Sequence, residues 1–251
     1  MLKKAKKASV FSVKVLAMCF FLCVMFVYFS DFHHNFIRYK VGSEVVQIID
    51  PEVGGGTGFH VVASSGKVYI LTNAHVCNLK DEDGFVKVKS EGSSKLIERK
   101  VIVISKEHDM CLVEALPFHN GLKLATKAEV GESITLVGYP NLRPLILSQG
   151  EIVSKNAEVT IPKSIIFSEK DVKNCKARII TINSIFGDLQ LCAISEVAYQ
   201  VSAISYPGNS GSPVVNKYGN VIGLLFAGSS AIVNDAYLIK LEDIREILAY
   251  Y

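Results

Sequence analysis

Three side chains able to carry out acyl transfer stand well apart in this chain: Ser210, His75 and Asp109. Ser210 lies in Ser205-Tyr206-Pro207-Gly208-Asn209-Ser210-Gly211-Ser212-Pro213, a polar, glycine-rich loop directly before the apolar run Val214-Val215-Asn216. Glycines on both sides let the backbone turn sharply and leave the hydroxyl uncrowded. The amides of Gly208 and Ser210 can then face one spot and hold a developing oxyanion. A serine hydroxyl is a weak nucleophile alone, so it needs a histidine base and a group that orients that base. Tyr69-Ile70-Leu71-Thr72-Asn73-Ala74-His75-Val76 runs as a strand into His75, and His108-Asp109-Met110-Cys111-Leu112-Val113 places Asp109 at the mouth of an apolar strand. An aspartate there can accept the Nδ1 proton, fix the tautomer and stabilise the imidazolium. Singly, each is ordinary: a strand-end histidine, a turn aspartate, a serine in turn chemistry. Together, in order and each beside an apolar strand, they make a constellation.

Such residues need a rigid frame, and the remainder of the sequence provides one. The chain has 251 residues, 49% hydrophobic and 20% charged, enough for one large all-β domain with a sizeable core. From about Val45 to Tyr237 short runs rich in Val, Ile, Leu and Tyr alternate with Gly, Asn, Asp and Pro. They include Phe59–Ala63, Val68–Thr72, Phe85–Val88, Val101–Ile104, Met110–Ala115, Ser133–Gly138, Gly150–Val153, Ile161–Phe167, Arg178–Ile182, Leu189–Ile194, Pro213–Asn216 and Val221–Phe226. This spacing predicts an antiparallel sandwich or barrel. Helical periodicity appears only at Leu241–Tyr251, opened by Glu242 and Asp243.

The N-terminus reads differently. Lysines 3, 4, 6, 7 and 14 precede an uncharged stretch from Val15 to Ser30 dominated by Leu, Phe, Val, Met and Cys. Such a run suits a membrane-spanning helix, with Lys14 reaching back to the interface. A cleaved signal peptide is the rival, but Tyr28-Phe29-Ser30-Asp31-Phe32-His33-His34 lacks a small-x-small site. The expected organisation is a basic cytoplasmic segment over 1–14, an uncleaved signal anchor over 15–30, and a tether without clear period over 31–44. A catalytic domain over 45–251 follows on the far side of the membrane. Without those five lysines the formal charge of +3 becomes −2, so the folded part has no basic excess for nucleic acid.

The order His, Asp, Ser is that of chymotrypsin-type enzymes, not of subtilisin-type or α/β-hydrolase enzymes. With these segments in view, the chain resembles the trypsin-like serine proteases of the chymotrypsin clan, most of all their HtrA/Deg branch. The carrying residues are Gly56-Thr57-Gly58-Phe59, Leu71–Val76, Asp109–Val113, Val130-Gly131-Glu132 with Val137-Gly138-Tyr139-Pro140, Ser148–Ser154, and Ala203–Asn216 continuing to Asn220–Gly223. The resemblance spans about residues 50–245. It implies two six-stranded antiparallel β-barrels with the active site between them, a short C-terminal helix, and endopeptidase chemistry. His75 would be the base and then acid, Asp109 its orienter and Ser210 the nucleophile, with the Gly208 and Ser210 amides as oxyanion hole. Protein or peptide substrates, and a trimer by analogy, follow from the same likeness, and no cofactor does.

Departures from the family shape further expectations. Its members usually carry PDZ domains after the protease; this sequence ends at Tyr251, so a protease domain without peptide gating is expected. Asn209 stands where digestive trypsins have an aspartate, which excludes activation through that ion pair. Residues 155–200 exceed the matching HtrA stretch, so an extra hairpin or specificity loop is expected. By the spacing of this fold Ile204 lies near the base of the primary pocket, with Phe226, Ala227 and Gly228 as the substrate-pairing wall. A base without a carboxylate disfavours Lys or Arg and favours an apolar residue before the scissile bond. The alternative is that Ile204 packs inward and the enlarged loop forms the pocket.

Six cysteines are present. Cys19 and Cys23 fall in the anchor, while Cys77, Cys111, Cys175 and Cys192 allow three pairings or none. No metal-ligand spacing appears, and His33-His34 reads as juxtamembrane polar sequence. A second function class is a catalytically idle trypsin-fold module that binds peptides or partners. A third, a Lys/Arg-directed processing enzyme, conflicts with Ile204.

Overall fold

The computed structural model describes residues 18–22, 24–25, 32–50, 54–77, 84–165, 173, 175, 178–184, 187–228 and 234–251. Short runs bounded by turns give the first six strands: β1 (Val45–Asp50), β2 (Gly54–Val62), β3 (Val68–Asn73), β4 (Phe85–Ser90), β5 (Ile97–Ser105) and β6 (Met110–Glu114), with burial alternating in β4 and β5 and continuous through most of the others. They close a barrel in the order β1-β2-β3-β6-β5-β4. Its buried faces, including Val46, Ile48, Ile70, Val88 and Val113, fill the interior. Strands are as short as the sequence runs predict because each ends at a turn signal, such as Gly66 or Gly92 in the left-handed region.

The second half forms β7 (Ser133–Gly138), β8 (Ile146–Ile165), β9 (Arg178–Ser184), β10 (Gly187–Val201), β11 (Pro213–Asn216), β12 (Val221–Gly228) and β13 (Ala236–Lys240). The sheet order is β13-β12-β11-β7-β8-β10-β9, and β13 also pairs with β10 at Tyr199↔Leu238. Six strands therefore run round into a ring, with β9 added outside it. The runs Gly150–Val153 and Ile161–Phe167, read as separate strands, are parts of the single 20-residue β8, and residues 166–167 lie outside the described ones. From Val153 to Ile161 no residue of β8 is buried, though Val159 and Ile161 pack against the shared core, and β9 lies alongside β10 outside the ring. The β9–β10 pair is the extra hairpin expected within 155–200.

Three helices adjoin the strands. Residues 32–42, read as a tether without period, are helical (α1), with Ile37 and Val41, one turn apart, fully buried. α2 (Ala74–Cys77) continues β3, and α3 (Leu241–Ala249) closes the chain as expected, burying Leu241, Ile244 and Leu248. One apolar cluster joins Val45, Phe59 and Leu71 of the barrel to Val137, Tyr139 and Leu224 of the second sheet, and Ile37 and Ile244 belong to it. Of the predicted span 15–30, residues 18–22 and 24–25 are helical and the remainder lies outside the described residues. Among the described residues no helix is long and apolar enough to cross a membrane.

Candidate active site

β3 ends at Asn73, and α2 begins at once, which turns His75 out of the barrel wall. Its side chain is 47% exposed, whereas that of Asp109 is 12% exposed. Asp109 sits in the turn between β5 and β6 with φ +49, a left-handed conformation that aspartate tolerates better than most residues. Its carboxylate grips His75 twice: Oδ2 lies 2.7 Å from Nδ1, and Oδ1 accepts the His75 backbone N–H at 2.9 Å. The Asp109 carbonyl accepts the Ala74 N–H at 3.0 Å and the Asn73 amide at 3.1 Å. With Nδ1–H given to the carboxylate, Nε2 is left as the basic nitrogen. The Cys77–Cys111 disulfide joins the residues two positions beyond each of these, so the histidine helix is covalently tied to the strand that carries the aspartate.

Ser210 comes from the second sheet, in the loop entering β11, and the first barrel holds that loop. The Thr57 N–H donates to the Ser210 carbonyl at 2.8 Å, and the Thr57 hydroxyl donates to the Gly208 carbonyl at 2.8 Å. Gly56 is wedged in the same place: a Cβ there would come 2.7 Å from Val76, next to His75, and 2.9 Å from the Ser210 carbonyl. His75 and Ser210 thus flank the Gly56-Thr57 pair. No hydrogen bond joins Ser210 Oγ to His75 Nε2 among the described residues; such bonds are commonly loose until substrate arrives. Gly208 has φ +91, so the turn before the serine requires glycine. Gly208 and Ser210 donate their N–H groups to no acceptor among the described residues, while Asn209, Gly211 and Ser212 donate to Tyr206, Leu225 and Asn209 carbonyls. The N–H groups of Gly208 and of Ser210 itself are thus free, as the donors of an oxyanion hole must be.

The four residues expected to form one specificity pocket are divided. Ile204 lines a cavity of about 290 Å³ with Leu136, Pro140, Ile146, Tyr206 and Asn209. Phe226 faces a separate cleft of about 250 Å³ with Glu107, His108, Val197 and Asp243. Burial holds the Asp243 carboxyl above its ordinary range. The end of β12 does approach the serine loop: a Cβ on Gly228 would lie 2.4 Å from Ser205 Oγ, and Ala227 packs against the shared core.

On the inner face of the barrel wall, where the register sets fully buried His60 opposite Ile70, the atoms of Glu44, His60 and His119 that could bind a metal lie within 4.8 Å of one another. The two imidazoles stack with centroids 3.7 Å apart and planes 5° from parallel. A metal in the plane of one ring would sit over the face of the other, so this arrangement does not suit shared coordination. Both His60 nitrogens are already engaged, Nδ1 with the Glu44 carbonyl and Nε2 with the Leu116 N–H. Burial, with the charge of His119 second, pushes the His60 imidazole down to about 4.

The contacts that Gln47, Asn141 and the Thr57 hydroxyl make with the loops around Ser210 are not visible in the sequence. Thr57 was visible only as part of a glycine-rich segment, and Gln47 acts across 95 residues of sequence, for which one chain carries no local signal.

Residues 56–224 match the trypsin-like peptidase domain, and the chain belongs to that family. Within it, the chain is similar to the Do-like and HtrA proteases. It is 29% identical over 202 residues to protease Do-like 2 of Arabidopsis thaliana, and 29% identical over 182 residues to the HtrA serine protease of Bacillus subtilis. These alignments take in 78% and 70% of this chain but only 28% and 34% of those proteins, so the chain spans about a third of their length. Among solved structures, the active form of the Rv3671c protease of M. tuberculosis superposes with a TM-score of 0.58 at 20% identity, covering 85% of this chain and 82% of that one. The serine endoprotease of Yersinia pestis gives 0.58 at 15%, covering 86% and 66%. At these identities the superpositions speak for the fold.

Proposed function

We propose that the chain is a serine endopeptidase working through His75, Asp109 and Ser210. The observation that carries the reading is the two-point grip of the Asp109 carboxylate on His75, at 2.7 and 2.9 Å, beside a serine loop with free flanking amides. Ser210 Oγ attacks the scissile carbonyl carbon as His75 Nε2 takes its proton. The carbonyl oxygen becomes an oxyanion facing the Gly208 and Ser210 N–H groups. His75 then returns the proton to the leaving amine as the C–N bond breaks. Water repeats the sequence on the acyl-enzyme and frees Ser210. The Asp109 carboxylate, 2.7 Å from Nδ1, stabilises the imidazolium at each stage.

Ile204, without a carboxylate at its position, supports an uncharged apolar residue before the scissile bond. The lysine-rich start and uncharged stretch to Ser30 support anchoring at a membrane with the catalytic domain outside the cytoplasm. The Cys77–Cys111 and Cys175–Cys192 disulfides are consistent with that oxidising side. A fluorophosphonate probe on the full chain tests the chemistry. Wild type is expected to label at Ser210, and His75→Ala to label far more slowly. Folded wild type that stays unlabelled contradicts the reading and favours a peptide-binding module on this fold.

A further inference from the structure

The oxyanion loop belongs to the second sheet, yet the groups that hold its shape come from the first barrel. Gln47 in β1 and Thr57 in β2 are cross-strand partners. Gln47 is buried, and its Nε2 reaches across to donate to the carbonyls of Leu142 at 3.1 Å and Arg143 at 3.3 Å. Those residues follow β7 in a tight 3₁₀ turn, Pro140–Leu142. Asn141 at φ +51 and Leu142 at φ +55 are two successive non-glycine residues in the left-handed region, a conformation that persists only when surroundings impose it. The Asn141 N–H in turn donates to the Pro207 carbonyl at 2.6 Å.

That last bond matters because of peptide geometry. The Pro207–Gly208 bond is trans, so its C=O and N–H point in opposite directions. Tying the Pro207 carbonyl to the 140–143 turn aims the Gly208 N–H away from it and leaves that donor free. The next carbonyl, of Gly208, is held by the Thr57 hydroxyl, which also accepts the Tyr139 N–H at 3.1 Å. Both peptide planes flanking Gly208 are therefore set, one through Gln47 and the strained turn, the other through Thr57.

We propose that Gln47, with Thr57 opposite it, is a positioning residue for the oxyanion hole, acting from the first barrel through the Asn141–Leu142 turn; this rests on Ser210 being the nucleophile. Without the Gln47 amide the left-handed turn relaxes, the Asn141 N–H leaves the Pro207 carbonyl, and the Gly208 peptide is free to rotate. The loss falls on the transition state, because the oxyanion is what the Gly208 N–H binds.

Gln47→Met keeps the length of the side chain without its donors. Its kcat, per active site titrated, is expected to fall about tenfold or more with KM within about twofold, since losing an oxyanion donor outright costs 10²–10³. Binding of a peptide boronate, which mimics the tetrahedral state, should weaken by the same factor as kcat. Adding Asn141→Gly should restore part of kcat, because glycine holds the left-handed turn unaided. Should Gln47→Met fold poorly, Thr57→Val against Thr57→Ser reads the second plane, with only Val losing kcat at constant KM. A purely structural Gln47 would lower the melting temperature and leave kcat per titrated site and boronate affinity unchanged; that result overturns the proposal. Wild type that neither cleaves nor labels overturns the protease reading and this proposal together. Active wild type beside unaffected Gln47→Met and Thr57→Val overturns this proposal alone.

Discussion

At the residue scale the decisive contact is Asp109 with His75. The carboxylate selects the tautomer with Nδ1–H, so removing its charge while keeping its shape should leave the fold and lose the base. Asp109→Asn is expected to lower kcat by about four orders of magnitude with unchanged circular dichroism, as the amide can donate to Nδ1 and force the proton onto Nε2. Retention of full rate would show that His75 is not held for catalysis through this pair. These residues were legible because each lies in a local pattern: a strand running into a histidine, an aspartate opening an apolar strand, a serine between glycines. Gln47 was illegible for the opposite reason. Its neighbours Val45, Val46 and Ile48 mark a strand, and nothing local tells a polar residue on a barrel wall from one reaching the other sheet. The pocket residues fell between these cases, since family spacing placed Ile204 near the serine loop but could not say which cavity its side chain lines.

At the element scale the site depends on holding α2 against β6. The antiparallel β3–β6 ladder sets Asn73 opposite Met110 and Thr72 opposite Cys111, and the Cys77–Cys111 disulfide adds a covalent tie across a separation of 34 residues. Closing a loop of that length is worth about 3–4 kcal/mol in the chain-entropy account. The Cys77→Ala/Cys111→Ala variant should lose stability of that order in urea unfolding, and its His75–Asp109 pair should become less ordered. Unchanged stability would mean that the hydrogen-bonded ladder suffices. Most strands were legible because turn residues bound them, but Val101–Ile104 and Leu189–Ile194 cover only parts of β5 and β10. Helix α1 was not, since Phe32, Phe36 and Tyr39 on its exposed side mask the Ile37 and Val41 stripe. The length of β8 was hidden as well, because its exposed middle carries the polar residues Ser154, Lys155 and Asn156, which read as a break.

At the scale of the whole molecule, α1 and the junction leading into β1 are part of the fold. Ile37 enters the cluster shared by both sheets, and Glu44, between α1 and β1, accepts from the His119 Nδ1 at 3.2 Å and the Asn120 and Gly121 N–H groups at 3.3 and 3.2 Å. Ile37→Ala is expected to cost about 2–4 kcal/mol in urea unfolding, a loss that a passive linker would not show. The same junction makes stability depend on pH. His60 is held neutral, its imidazole down at about 4 against an ordinary value near 6.5, facing His119 and the Glu44 carboxylate. Between those values the unfolded chain binds the extra proton and the folded chain does not. The His60 contribution is thus complete above about pH 6.5 and is lost as pH falls towards 4, a change of about 2–3 kcal/mol. Urea midpoints at pH 7.5 and 4.5 should differ accordingly, and the difference should shrink in His60→Gln. An equal difference in both proteins would place the acid sensitivity elsewhere.

The central claim is that this trypsin-like fold cleaves protein chains through Ser210. The most direct measurement incubates the full chain and its Ser210→Ala variant with unfolded casein and maps the cuts by mass spectrometry. Wild type is expected to cut after uncharged apolar residues and the variant not at all. Equal cutting by both proteins, or none by a folded wild type, would contradict cleavage through Ser210.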